Sequence, residues 1–177
     1  MEENWTLAYH TTSGQGWVEV SSVGVCRVAL PSEQPFSTAR NPARPVPRHG
    51  NQAVDQLQQY FAGQLRQFEL PLDLGTLTAF QERILQQTTL IPYGTVISYR
   101  QLAELAGYPQ AARATGGVMA ANRLPIIIPC HRVIASSGAL TGYSGAGGLS
   151  TKRFLLRMEG VEFKGEKICR IFDSYEQ

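Results

Sequence analysis

Cys130 and His131 stand side by side at the end of the apolar run Ile126-Ile127-Ile128-Pro129, with Arg132 immediately after them. A free thiol with a pKa near ~8.5 is only about 3% thiolate at pH 7, so a neighbouring base or positive field decides whether it reacts. His131 is the nearest base. Adjacent side chains point to opposite faces of a strand and diverge by about 100° on a helical turn, so sulfur and imidazole are best joined through a bridging water. A carboxylate on the far ring nitrogen would fix the imidazole for that task. Acids are scarce here, and Glu159, at the end of TKRFLLRMEG, is the best placed of them. Against this stands the plainer reading of Cys130 as a small buried hydrophobe. A metal site is not expected: Cys26, Cys130 and Cys169 are odd in number and widely scattered, which fits neither zinc spacing nor a disulfide framework. No cofactor motif accompanies the pair; the glycine-rich stretch GALTGYSGAGGLSTK, with Tyr143 and Ser144 at its centre, carries neither a phosphate-loop nor a dinucleotide signature.

The elements that must position these residues can be read on either side. The isoleucines read as a strand that delivers the thiol, with Pro129 as its stop. Upstream, Thr78 with Gln81 and Ser98 with Gln101 each form a capping box that opens a helix, the first burying Phe80, Ile84 and Leu85. Gly107 closes the second helix, and QAARATGGVMAAN reads as a third, with Pro109 in its first turn and Asn122 past its end. Two short helices joined by a turn containing glycine have the shape of a helix-turn-helix, at about residues 98–122. Gly116-Gly117 inside the second of these should cost about 1 kcal/mol each relative to alanine. Either a neighbouring helix or a nucleic-acid backbone must approach closely there. Arg113 is the one long side chain on that small-residue face, placed as a wedge would be.

The first thirty residues read as strands, WTLAYH, GWVEVSS and VCRVAL, and residues 31–50 as a proline-rich loop. NQAVDQLQQYFAG then places Val54, Leu57 and Phe61 at helical spacing. The expected organisation is a strand-rich lobe over residues 1–75 and a helical lobe over 76–177, together a mixed α/β (α+β) fold. With 177 residues, 43% hydrophobic and 17% charged, the chain has the composition of a globular protein, and its longest apolar run is too short to span a bilayer. No membrane partner is expected. The acidic start MEENWTLAYH lacks the features of a secretory signal, which points to the cytoplasm, or the nucleus of a eukaryotic cell. The formal net charge of +2 is uneven: Phe80 to Gly160 holds eight Lys and Arg against three Glu, as a polyanion-binding surface would.

In this order, GTVISYRQLAELAG, AARATGGVMAAN, IPCHRV, SSGALTGYSG and STKRFLLRMEG closely resemble the O6-alkylguanine-DNA alkyltransferases, the methylated-DNA protein cysteine methyltransferases. The resemblance covers about Thr78 to Gly160. It implies a ribonuclease-H-like N-terminal lobe packed on a C-terminal lobe with a DNA-binding helix-turn-helix, and direct reversal of O6-alkylguanine, with O4-alkylthymine as a further substrate to consider. Cys130 would be the acceptor, activated through water by His131, which Glu159 orients, with Asn122 bracing the active-site loop. Arg113 would enter the duplex, and Tyr99 would lie near the rotated phosphate and base. Tyr143, the Ser144 amide and Lys152 would meet or support the guanine, and the carbonyls of Cys130 and Val133 would accept from its exocyclic amine. The implied partner is double-stranded DNA carrying the lesion, bound by a monomer that could also bind cooperatively, with no cofactor and no metal. Rival readings are a non-catalytic lesion-binding or regulatory helix-turn-helix protein and a Cys-His hydrolase. Two positions depart from the family pattern: Arg123 follows Asn122 where proline is common, and the glycine loop is about two residues longer.

Overall fold

The computed structural model describes residues 4–36, 45–169 and 171. The chain divides into two compact units, Met1–Thr76 and Leu77–Gln177. In the first, β1 (Trp5–Thr11), β2 (Gly14–Val20) and β3 (Val25–Ala29) form an antiparallel meander. Leu7 pairs with Val18, and Val18 with Val28. Gly16 is required by packing: a Cβ there would lie 2.3 Å from Cζ of Tyr9, whose hydroxyl donates to the Ala29 carbonyl at 2.8 Å.

Helix α1 (Arg48–Phe61) covers the sheet and starts inside the stretch read as a loop; residues 37–44 of that stretch lie outside the described residues. Its buried positions are Gly50, Ala53, Leu57 and Tyr60, so the expected stripe through Val54 and Phe61 is corrected by one residue. The sheet sets this phase, because a Cβ on Gly50 would meet Leu7 and Val20 at 3.0 and 3.2 Å. The helix therefore presents its smallest residue where the backbone comes nearest the strands.

In the second unit, α2 (Ala79–Thr89) and α3 (Tyr99–Leu105) both begin with the reciprocal capping boxes read from sequence. Gln81 N–H donates to Thr78 Oγ1 at 3.2 Å, and Gln101 N–H to Ser98 Oγ at 3.2 Å. Each cap contributes roughly 1 kcal/mol by satisfying otherwise orphan amides. Gly107, at φ 86°, ends α3 in the left-handed conformation as the sequence suggested. Helix α4 (Ala112–Ala120) starts later than expected: Pro109 lies in a turn closed by the Ala111 amide on the Tyr108 carbonyl at 2.9 Å.

The isoleucine run is not a strand. Residues 125–127 form a turn, with Ile126 buried at φ 76°, a left-handed conformation that is costly for a β-branched residue. The pairing strand comes after the cysteine: β4 (Ile97–Ser98) lies parallel to β5 (Val133–Ile134). Helix α5 (Leu149–Met158) and the hairpin of β6 (Phe163–Lys164) with β7 (Lys167–Ile168) complete the unit. Val96, Ile134, Leu156 and Ile168 form a core cluster that holds β5 against α5. Each such buried aliphatic side chain contributes about 1.5–3 kcal/mol. Among the described residues, no helix is long and apolar enough to cross a membrane.

Candidate active site

Cys130 opens a single 3-10 turn, Cys130–Arg132, and is 4% exposed. It forms part of the wall of a cavity of about 210 Å³, lined also by Tyr99, Gly116, Met119, Ala120, Gly142, Tyr143 and Ser144. The thiol is thus buried beneath a pocket, on a turn, where the sequence suggested a thiol delivered at the end of a strand. The turn explains the difference: the Cys130 amide donates to the Ile128 carbonyl at 2.7 Å, folding the chain inward directly after the proline.

Asn122 braces the loop that carries the cysteine. Its Nδ2 donates to the Ile128 carbonyl at 2.9 Å, and its Oδ1 accepts the Leu124 amide at 3.0 Å. The Ile128 amide closes the same loop on the Leu124 carbonyl at 2.9 Å. These bonds over-determine the backbone and hold Ile126 in its unfavourable conformation.

Behind the thiol, His131 Nε2 lies 2.8 Å from Glu159 Oε1, both side chains fully buried. Burial pushes the Glu159 carboxyl up, but the hydrogen bonds of His131 and Arg132 and the Arg132 charge outweigh it and hold the group well below the usual carboxylate range. An ionised carboxylate only accepts, so Nε2 carries the proton and Nδ1 is the nitrogen able to take one. Burial lowers the pKa of His131 more than Glu159 raises it, which favours the neutral imidazole. For Cys130, burial raises the thiol pKa and outweighs the Asn122 hydrogen bond and the Lys152 charge that lower it. Both shifts favour the uncharged forms, a thiol at Cys130 and a neutral imidazole at His131.

Lys152 is fully buried on α5. Its ammonium donates to the carbonyls of Val133 at 2.7 Å, Thr141 at 3.1 Å and Gly142 at 3.4 Å. Burial lowers its pKa to about 8. The same Thr141 carbonyl accepts the Tyr99 hydroxyl at 3.3 Å, so Lys152 and Tyr99 together anchor the start of the glycine loop. Gly142, Tyr143 and Ser144 line the cavity, whereas residues 145–148 turn into the start of α5, with Thr151 Oγ1 donating to the Ala146 carbonyl at 2.6 Å.

Tyr99, Cys130, Tyr143 and Ser144 therefore meet at one cavity, with Asn122, His131, Glu159 and Lys152 buttressing it. The Val133 carbonyl already accepts from Lys152 behind the wall. Arg113 stands apart on the exposed face of α4, together with Ala114 and Gly117. A Cβ on Gly117 would meet nothing within 4 Å, so no neighbouring helix explains that glycine. Gly116 borders the cavity. Of the eight basic residues counted between Phe80 and Gly160, Arg132 and Lys152 are interior, so the basic surface is smaller than the sequence count. Both had been counted as surface charge; for Arg132 a signal was available. Its signal was its position in an apolar run, where a charge must find an internal partner.

Residues 79–161 match the 6-O-methylguanine DNA methyltransferase DNA binding domain, and residues 49–74 the ribonuclease-like domain of the same family. The chain is 46% identical over 127 residues to the methylated-DNA–protein-cysteine methyltransferase of Mycobacterium tuberculosis strain H37Rv, covering 72% of this chain and 75% of that one. It is 45% identical over 113 residues to the constitutive enzyme of that name from Bacillus subtilis, covering 64% and 67%. Among solved structures, the M. tuberculosis O6-methylguanine methyltransferase superposes with a TM-score of 0.70 at 37% identity, covering 90% of this chain and 93% of that one. The M. tuberculosis protein in complex with DNA gives 0.72 at 39% identity, covering 88% and 92%.

Proposed function

The chain belongs to the 6-O-methylguanine DNA methyltransferase family, and from that premise we propose that its cavity receives an alkylated guanine swung out of duplex DNA and passes the alkyl group to Cys130. The reaction is direct reversal, a transferase chemistry that consumes its own acceptor. One observation carries this reading: a buried thiol in the wall of a base-sized cavity, backed by the 2.8 Å His131–Glu159 pair and roofed by the second helix of a helix-turn-helix.

The sulfur cannot reach an O6 substituent inside a stacked duplex, so the base must leave it, at a cost of a few kcal/mol that is smaller where pairing is already impaired. Arg113, on the small-residue face of α4, would fill the gap left in the stack and offset part of that cost. Within the cavity, His131 Nδ1 takes the thiol proton through a water, and the imidazolium that forms is stabilised by Glu159. The thiolate attacks the alkyl carbon in line; the S–C bond forms as the C–O6 bond breaks, and its electron pair leaves on the guanine. That developing charge needs a proton or a donor; Tyr143 and Ser144 line the cavity, and the Tyr143 hydroxyl and Ser144 amide would supply hydrogen bonds. Lys152 keeps the wall in place and adds a positive charge near the sulfur. A thioether offers no leaving group that the site could expel, so each molecule acts once. This reading puts the protein where its DNA is, in the cytoplasm, or the nucleus of a eukaryotic cell.

The test is intact and peptide mass spectrometry after incubation with a duplex holding one O6-methylguanine. One methyl group should appear on the Cys130 peptide, in a burst that stops at one equivalent of protein. DNA binding with Cys130 unmodified would instead make this a lesion-binding protein. Repeated turnover without DNA would make it a hydrolase.

A further inference from the structure

The 3-10 turn places a third side chain in the buried network, and it faces the carboxylate more fully than the histidine does. Arg132 Nη2 donates to Glu159 Oε1 at 2.9 Å, and Arg132 Nε to Glu159 Oε2 at 2.9 Å, a bidentate clamp on both oxygens. Its remaining arm, Nη1, donates to the Ile91 carbonyl at 2.6 Å. The Gly94 amide adds a donor to Glu159 Oε2 at 3.1 Å. Gly94 itself, at φ 73°, sits where a Cβ would lie 2.7 Å from the Glu159 carbonyl. The Tyr93 ring stands 5.7 Å from the Arg132 guanidinium, and its hydroxyl donates to the Met158 carbonyl at 3.1 Å. The IPYG turn and the end of α5 are thus both tied to Arg132 and Glu159.

We infer that Arg132 is a positioning residue for alkyl transfer: by gripping both oxygens of Glu159 it aims one of them at His131 Nε2 and balances its charge, so that the imidazole rests neutral with Nδ1 able to accept a proton. This role rests on the alkyl-transfer reading of the same site. A lone buried carboxylate against an imidazole would instead favour the imidazolium, which cannot act as a base. The charged groups acting on His131 are Glu159, the residue that caps the end of α5, Lys152 from α5 itself and Arg132 from its own turn. Arg132 and Lys152 both disfavour the imidazolium, but only Arg132 does so while contacting the carboxylate that favours it. Arginine is needed for the geometry, since lysine offers a point charge without the planar fork.

The experiment is the single-turnover transfer rate on methylated duplex from pH 5 to 9 for the wild type, Arg132→Gln and Arg132→Lys, with circular dichroism confirming the fold. Arg132→Gln should move the acid limb of the profile upward by about one pH unit or more. Arg132→Lys should keep the limb near its wild-type position while losing rate. Acid limbs that coincide in all three proteins, whatever the loss in rate, would overturn the inference. Should the glutamine variant not fold, nitrogen-15 NMR of the wild-type His131 ring decides. A neutral ring protonated on Nε2 at pH 7 is expected, and an imidazolium or a ring protonated only on Nδ1 refutes the role. Methyl transfer to Cys130 by the wild type is measured in the same series. Its absence would sink the alkyl-transfer reading itself, whereas transfer with pH-invariant variants sinks only the role of Arg132.

Discussion

Replacing Glu159 by glutamine removes one charge from a site that accepts four hydrogen bonds. Oε1 takes His131 Nε2 and Arg132 Nη2, and Oε2 takes Arg132 Nε and the Gly94 amide. Glutamine keeps one acceptor oxygen and sets an NH₂ group against two of those donors. Arg132, 4% exposed, is left as a buried cation without its counter-charge. Breaking a buried pair in this way costs about 3–5 kcal/mol. A domain whose stability lies in the middle or upper part of the usual range of roughly 5–15 kcal/mol survives that loss, and such a variant should fold and be measurable. Urea denaturation at pH 7 should show the drop in midpoint. Single-turnover transfer to Cys130 should slow by about 10²–10³-fold, because the general base loses its tautomer and its charge partner. The pH dependence gives a second handle. The folded Glu159 carboxyl is held below its unfolded value, so its contribution is full above the unfolded pKa of about 4.3 and fades as pH falls through the folded value. The stability gap between wild type and Glu159→Gln should therefore narrow on acidification from pH 5 downward. A loss under about 1 kcal/mol at pH 7 would refute the account of a charge-balanced buried network, and so would a gap that does not change with acid.

Three further outcomes follow from the same geometry. Arg113→Ala should slow repair of duplex DNA by at least tenfold while leaving reaction with free O6-alkylated guanine base unchanged, since Arg113 lies on the outer face of α4; equal losses on both substrates would contradict a duplex-side role. Gly116→Ala should raise stability by about 0.5–1 kcal/mol through helix propensity. Its Cβ would stand 4.0 Å from Tyr99 Cε1 without clashing, yet it would narrow the cavity, so groups bulkier than methyl should transfer at least about tenfold more slowly, as substrate-series kinetics would show. Lys152→Met should abolish a pH effect: the wild-type lysine titrates at about 8 when folded and 10.5 when unfolded, so its burial destabilises below pH 8 and is relieved as pH rises between the two. Denaturation curves from pH 7 to 10 should show the wild type gaining stability relative to the variant over that interval.

What could be read from the sequence was whatever short-range chemistry specifies. Thr78 with Gln81 and Ser98 with Gln101 fix helix starts through bonds spanning three residues, and both occur as read. Gly107 ends α3 for an equally local reason. The family resemblance rested on motifs around Cys130 that are just as local, and it carried the function. The errors fell where distant residues decide. The phase of α1 is set by Leu7 and Val20 across the sheet, which periodicity in the helix alone could not reveal. The isoleucines satisfy every local preference for a strand, but Asn122 and the Leu124–Ile128 bond fold them into a turn. Arg132 and Lys152 were counted as surface charge because their partners, Glu159 and the carbonyls of Val133, Thr141 and Gly142, lie between ten and twenty-seven residues away.

The parallel pairing of Ile97–Ser98 with Val133–Ile134 has a metrical consequence. Ser98 is the cap from which α3 springs, and Val133 follows the turn that begins at Cys130. Two residues of backbone ladder thus bolt the foot of the helix-turn-helix to the frame that carries the sulfur. The pair works as a fixed gauge: once the helices are seated in a groove, the distance from the phosphate rail to the thiol is already set. On the proposed alkyl-transfer reading, a nucleotide swung through that distance would bring its O6 substituent to the sulfur, and one left in the stack would fall short by the length of the swing. Discrimination between damaged and intact guanine can then begin with reach, before any contact distinguishes methyl from hydrogen.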